Sequence, residues 1–193
     1  MLGLKLPTDP RWVNIAEKNI VDILIDHAWC EQKAATSCIT FIVKYPDHTE
    51  LVETLSPIVT EEWGHFRMVL RELEKRGATL GPARADNYVV QLKKHERTGD
   101  RRERQLMDKL LINALIEARS CERFRLLSLH IADNELKGFY HELMKSEAGH
   151  YLTFVELAKA YMPEKLVEER LEQLLIAEAE IIANLELRGD RIH

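Results

Sequence analysis

The sequence predicts an all-α protein: a four-helix bundle with one crossover connection and an additional C-terminal helix. Three observations lead there. Apolar residues recur at three- and four-residue spacing along most of the chain, and no two-residue alternation competes with it for long. Two short turn signals, "YPDHT" at 45–49 and "ADNE" at 132–135, each join two long periodic stretches. The longest irregular stretch, "GATLGPARADN" at 77–87, separates the two pairs, as in bundles with a single long crossover.

The elements follow in order. A first helix is expected from Asp9 or Pro10 to Lys44, with Asp9 as cap and Pro10 in the first turn. A second runs to Arg76 and stops at Gly77, with Pro57 marking a kink or a break inside it. A short helix is expected within 88–97. "TGDRRERQ" opens a third long helix reaching about Ala132, and a fourth ends near Met162 and Pro163. A fifth, from about Glu164 to Leu187, carries Leu166, Leu171, Leu174, Leu175, Ile181 and Ile182 on one face and packs outside the four.

Composition bounds the class. At 193 residues, 46% hydrophobic and 31% charged, the chain fits one soluble globular domain spanning 1–193. Its net charge of −5 gives no whole-protein drive toward a polyanion or an anionic membrane. No apolar run is long enough to span a membrane, and "MLGLKLPTDPRW" does not read as a signal peptide. Cys30, Cys38 and Cys121 form no CxxC pair and read as free thiols, so a cytoplasmic location is expected.

Chemistry enters with "EEWGH" at 61–65 and "SEAGH" at 146–150, two copies of Glu-x-Gly-His inside apolar helical stripes. Glu62 and His65 are three residues apart and share a helix face, as do Glu147 and His150. In each half the preceding helix carries Cys-Glu, in "HAWCEQKAA" at 27–35 and "ARSCERFRL" at 118–126, placing Glu31 and Glu122 in the same pattern. The third helix also offers Glu117. Glu122 lies on the apolar row of Leu111, Leu115, Ala118, Leu126 and Leu129, whereas Glu117 shares its side with Asn113, Ser120 and Ser128. Counted from a turn at about 133, Glu122 lies eleven residues before it and Glu147 fourteen beyond, with Glu117 deeper than either, and Glu122 is the expected partner.

Four carboxylates buried together would repel one another. Two divalent cations remove that conflict and make Glu31, Glu62, His65, Glu122, Glu147 and His150 a ligand set for iron or manganese, with zinc possible on chemistry alone. Gly64 and Gly149 are the second shared oddity, since mid-helix glycine costs about 1 kcal/mol against alanine. Room for the backbone beside the metals, or close helix packing, would explain them. His27, one turn before Glu31, is expected to support the site or the core, and Trp29 and Trp63 to pack.

The arrangement resembles the ferritin-like di-iron superfamily. More narrowly, "DHAWCEQKAA", "EEWGHF", "LIEARSCERF" and "EAGHY" resemble the tRNA-(2-methylthio-N6-isopentenyladenosine) hydroxylase family, MiaE, over nearly the whole chain. The resemblance implies that Glu31, Glu62, His65, Glu122, Glu147 and His150 hold two iron ions. It implies a monooxygenase that uses dioxygen to hydroxylate the isopentenyl side chain of a hypermodified adenosine beside the tRNA anticodon. A dry, apolar cavity would protect such a reaction. Electrons are expected from an external donor such as a ferredoxin-type reductase, since no cysteine pair or nucleotide-binding glycine motif accompanies the ligands. "KKHERTGDRRER" at 93–104 has a local charge of +3 and, with Arg76, Arg84 and Arg119, is the expected phosphate contact. A ferroxidase or iron-storage protein would use the same ligands, and a metal-free helical interaction module would need none.

Overall fold

In the computed structural model, which describes residues 2–193, every regular element is a helix. They are α1 (Arg11–Lys18), α2 (Ile20–Lys44), α3 (Thr49–Lys75), α4 (Asn87–Lys93), α5 (Arg102–His130), α6 (Asn134–Tyr161) and α7 (Glu164–Asn184). The expected first helix is divided at Asn19, whose side-chain amide donates to the Ile15 carbonyl (2.8 Å). Pro57 does not interrupt α3, which runs unbroken past it. No helix among the described residues is long and apolar enough to cross a membrane, and all three cysteines are free.

The chain forms two compact units. One comprises Ile15–Ala85 and Arg188–Ile192. Its frame is the antiparallel pair α2 and α3, joined by a four-residue turn and packed through Leu24, Ala28, Ala35, Leu55, Phe66 and Val69. The C-terminal segment belongs to this unit: the Ile192 amide donates to Asp26 (2.8 Å), and Arg191 lies 3.6 Å from the same carboxylate. Gly189 makes that path possible, because a Cβ there would lie 2.3 Å from Ile15 Cγ2 and 2.7 Å from the Ile15 backbone.

The other unit comprises the N-terminal residues to Asn14, Asp86–Leu187 and His193. Here α5 packs against α6 on one side and contacts α7 on another. Burial therefore wraps well beyond a single stripe of α5. Leu110, Leu111, Ile112, Ala114, Leu115 and Ala118 are all fully buried, and over the roughly five turns from Leu106 to Phe124 only Lys109, Asn113 and Ile116 are not buried. Asp133 caps α6 by accepting from the amides of Glu135 and Leu136, which fixes where that helix starts.

Candidate metal centre

Each unit carries its own set of buried ligands. In the α2/α3 pair, Glu31 lies thirteen residues before Lys44, the end of α2, and Glu62 thirteen after Thr49, the start of α3. At 1.5 Å per residue both therefore sit about 20 Å from the turn, at one level. His65, one turn beyond Glu62, completes the set: one ligand atom from each of Glu31, Glu62 and His65 lies within 4.8 Å of the others. His65 Nδ1 is 3.5 Å from Glu31 and 3.6 Å from Glu62, and all three residues are buried.

The electrostatics are those of a carboxylate-rich interior. Burial favours the neutral form of Glu31, but hydrogen bonds from His27 and His65 outweigh it and hold its pKa well below the ordinary carboxylate value. Burial likewise opposes charge on His65, yet Glu31 and Glu62 together raise its pKa to about 10. At neutral pH this favours the imidazolium form of His65. His27, wholly buried, contacts Glu31 through Nε2 at 2.6 Å and orients the carboxylate from one helical turn away.

The α5/α6 pair repeats the pattern with a different glutamate from the one expected. Glu117, Glu147 and His150 bring one ligand atom each within 4.8 Å of one another, and all three are buried. Glu122 does not join them. Its carboxylate accepts from the Thr8 hydroxyl (2.6 Å), the Thr8 amide (3.2 Å) and the Arg119 guanidinium. Arg119 is fully buried and also donates to Glu178 of α7 (2.6 Å) and to the Leu6 carbonyl (3.0 Å). Glu122 is thus part of the ion-pair network that anchors the N-terminal segment and α7, and the choice of Glu122 over Glu117 is corrected. Five residues amount to about 140° around a helix. Glu117 faces α6, and Glu122 faces the N-terminal segment and α7.

One signal in the sequence identifies Glu117. It lies thirteen residues before His130, the end of α5, and Glu147 lies thirteen after Asn134, the start of α6. This is the same count from the turn as for Glu31 and Glu62. The shared Cys-Glu dipeptide displaced the alignment of the halves by five residues.

Other expectations also shift. A Cβ at Gly64 or Gly149 would meet nothing within 4 Å, so neither close helix packing nor backbone crowding accounts for these glycines, and nothing in the structure explains them. The cations of the basic stretch at 93–104 are committed only in part: Arg97 lies at Asp108, which Arg170 shares, and Arg104 at Asp100, while Lys93, Lys94 and Arg101 make no ion pair among the described residues. Arg76 pairs with Glu72 and Arg84 with Asp22 and Asp190, while Arg119 is inaccessible.

The donor sets fit a metal on their own chemistry. Each is buried, built of oxygen and imidazole nitrogen, and holds two carboxylates against one histidine. Between them they supply four carboxylates and two imidazoles, the complement used by di-iron and di-manganese carboxylate proteins of helical folds.

The chain is similar to known proteins over nearly its whole length. A protein from Pseudomonas putida called tRNA 2-(methylsulfanyl)-N(6)-isopentenyladenosine(37) hydroxylase is 40% identical over 93% of this chain and 86% of its own. A protein of the same name from Salmonella typhimurium is 28% identical over 93% of this chain and 83% of its own. A solved structure from Synechococcus, described as protein 43 with aldehyde deformylating oxygenase activity, superposes with a TM-score of 0.92 at 36% identity, covering 98% of this chain and 94% of that one. The fold is accordingly the ferritin-like all-α bundle. Residues 2–193 match the family described as tRNA-(MS2IO6A)-hydroxylase, and the chain belongs to that family, MiaE.

Proposed function

We propose that this protein is a dioxygen-dependent monooxygenase that hydroxylates the isopentenyl group of 2-methylthio-N6-isopentenyladenosine in tRNA. Glu31, Glu62, His65, Glu117, Glu147 and His150 would hold two iron ions. The observation that carries the reading is the repeated buried set of one glutamate plus Glu-x-x-His in a chain that matches this hydroxylase family from end to end.

Iron held by these residues would supply the redox chemistry for using dioxygen. The balance is one C–H bond, one O2, two electrons and two protons giving one C–OH and one water. The chain's own residues do the rest. Four carboxylates neutralise the charge of two divalent cations, and His27 fixes the orientation of Glu31. Phe66, Val69, Phe154 and Leu157 are buried on the rows that carry the ligands, and they limit the water that would divert an oxidant. The two electrons come from a separate donor of the ferredoxin-reductase type, because no cysteine pair accompanies the ligands. We treat residues 1–193 as one functional domain acting in the cytoplasm, where the tRNA is. Manganese or zinc would occupy the same ligands without supporting the same turnover.

The test is nucleoside mass spectrometry of hypomodified tRNA incubated with iron-loaded protein, reductant and oxygen. One added oxygen on the isopentenylated adenosine is expected, and none with oxygen excluded. An unchanged nucleoside from a protein carrying two irons per chain rejects the assignment. The likeness to the Synechococcus oxygenase supports one other reading, oxygenative deformylation of an aldehyde. Loss of aldehyde under the same conditions, with tRNA untouched, would select it.

A further inference from the structure

We propose that Trp63 is the platform on which the substrate's nucleobase stacks, with Arg67 and Arg71 holding flanking phosphates. The inference rests on tRNA being the substrate and extends that reading to the surface that receives it.

Trp63 is exposed to 49%, whereas Trp12 is completely buried. Burying an indole is among the most favourable contributions an apolar side chain makes, so half an indole left in water forfeits much of that gain. Its ring is held by Phe66, with centroids 4.9 Å apart and planes at 39°, so its orientation is set before any ligand arrives. The helix surface beside it is open, since a Cβ at Gly64 would meet no neighbour within 4 Å. Trp63 lies on the helix that carries Glu62 and His65, about 100° around the axis from Glu62, so the platform stands on the exposed side of that helix.

The charge pattern points the same way. Arg67 lies one helical turn beyond Trp63 and Arg71 a further turn, and both are exposed. Neither makes an ion pair or hydrogen bond among the described residues. Arg76, Arg84, Arg97, Arg104, Arg119 and Arg170, by contrast, each have a carboxylate partner. In a protein of net charge −5, cations without such partners are where a phosphate finds uncompensated positive potential. An accessible aromatic ring flanked by guanidinium groups is the usual means of gripping an unpaired nucleotide, through stacking on the base and attraction to the backbone.

The experiment measures affinity of the iron-loaded full chain for a labelled anticodon stem-loop carrying the isopentenylated adenosine, by fluorescence anisotropy over a salt series. Trp63→Leu keeps apolar packing on Phe66 but removes the stacking face, and should weaken binding roughly five- to a hundred-fold. Trp63→Phe should recover most of the loss. Arg67→Ala/Arg71→Ala should lower the slope of log affinity against log salt by about 1.4, two phosphate contacts at ~0.7 each. Affinity of Trp63→Leu within two-fold of wild type, or an unchanged salt slope in the arginine variant, overturns the proposal. Hydroxylation assayed on the same preparations separates the two readings. Wild-type turnover with unaltered Trp63→Leu binding sinks the platform alone, Trp63-dependent binding without turnover sinks the reaction alone, and absence of both rejects the pair.

Discussion

Glu117 and Glu122 lie five residues apart on one helix, are both buried, and should respond oppositely to the same isosteric change. In Glu122→Gln the shape is kept but the charge that faces Arg119 is lost. Hydrogen bonds to charged groups contribute about 1.5–3 kcal/mol each in net stability. For a chain of 193 residues each kcal/mol shifts the melting temperature by roughly 2–4 °C, so Glu122→Gln should melt about 3–12 °C lower while keeping its iron. In Glu117→Gln the metal-free protein loses a like-charge neighbour of Glu147. Carboxylate atoms within 4.8 Å and an effective dielectric near 20 repel by ~3 kcal/mol or more. Metal-free Glu117→Gln should therefore melt no lower than wild type, yet hold at most half its iron. Calorimetry on stripped protein, with iron measured by plasma emission after reconstitution, reads both quantities. Full iron in Glu117→Gln together with iron loss in Glu122→Gln would refute the assignment of the two roles.

Three further outcomes follow from the same structure. Replacing Arg119 by Met leaves Glu122 and Glu178 buried without their shared cation, and should cost about 3–5 kcal/mol in urea unfolding; a change under 1 kcal/mol would show the network to be dispensable. Gly64→Ala and Gly149→Ala, where an added Cβ meets nothing, should each stabilise the metal-free protein by up to about 1 kcal/mol, whereas Gly189→Ala, where it would collide with Ile15, should destabilise it; the reverse order would contradict the geometry. The raised pKa of His65 favours folding fully below its ordinary value of 6.5, and that stabilisation is lost as pH climbs through about 10. Iron-free protein should therefore show a urea midpoint that falls across this window more steeply than in His65→Gln, and metal uptake at neutral pH should release a proton; parallel profiles would exclude the imidazolium.

The helices were legible because each is long and strongly periodic, and the two tight turns carry unmistakable polar clusters. What escaped was local. Asn19 divides the first helix although 9–44 reads as one continuous apolar pattern, because a side-chain bond to the Ile15 carbonyl competes with the ladder there. Pro57 left a kink or a break open, and α3 runs through it without a break, although its ring removes one ladder hydrogen bond. The basic crossover read as a phosphate contact from its +3 charge, and tertiary pairing takes up part of that charge. Asp108, far from Arg97 and Arg170 in sequence, takes both.

The misassigned glutamate shows which sequence measure is physically sound. An apolar row identifies a core face only when a helix has one such face, and α5 is buried against α6 and also against α7 and the N-terminal segment. An apolar setting for Glu122 therefore said that it was buried, not what it was buried against. Shared dipeptides fared no better, since Cys30 and Cys121 precede glutamates of different roles. Depth from the connecting turn is different in kind. Two antiparallel helices leaving one turn keep step at a fixed rise, so ligands that must meet have to stand equally far from it. Glu31 and Glu62 satisfy that condition, and so do Glu117 and Glu147; Glu122, eight residues from the end of α5, does not. Even a turn centred at about 133 leaves Glu117, sixteen residues before it, closer to the fourteen of Glu147 than Glu122 at eleven, so the apolar row and the shared dipeptide carried the choice of Glu122.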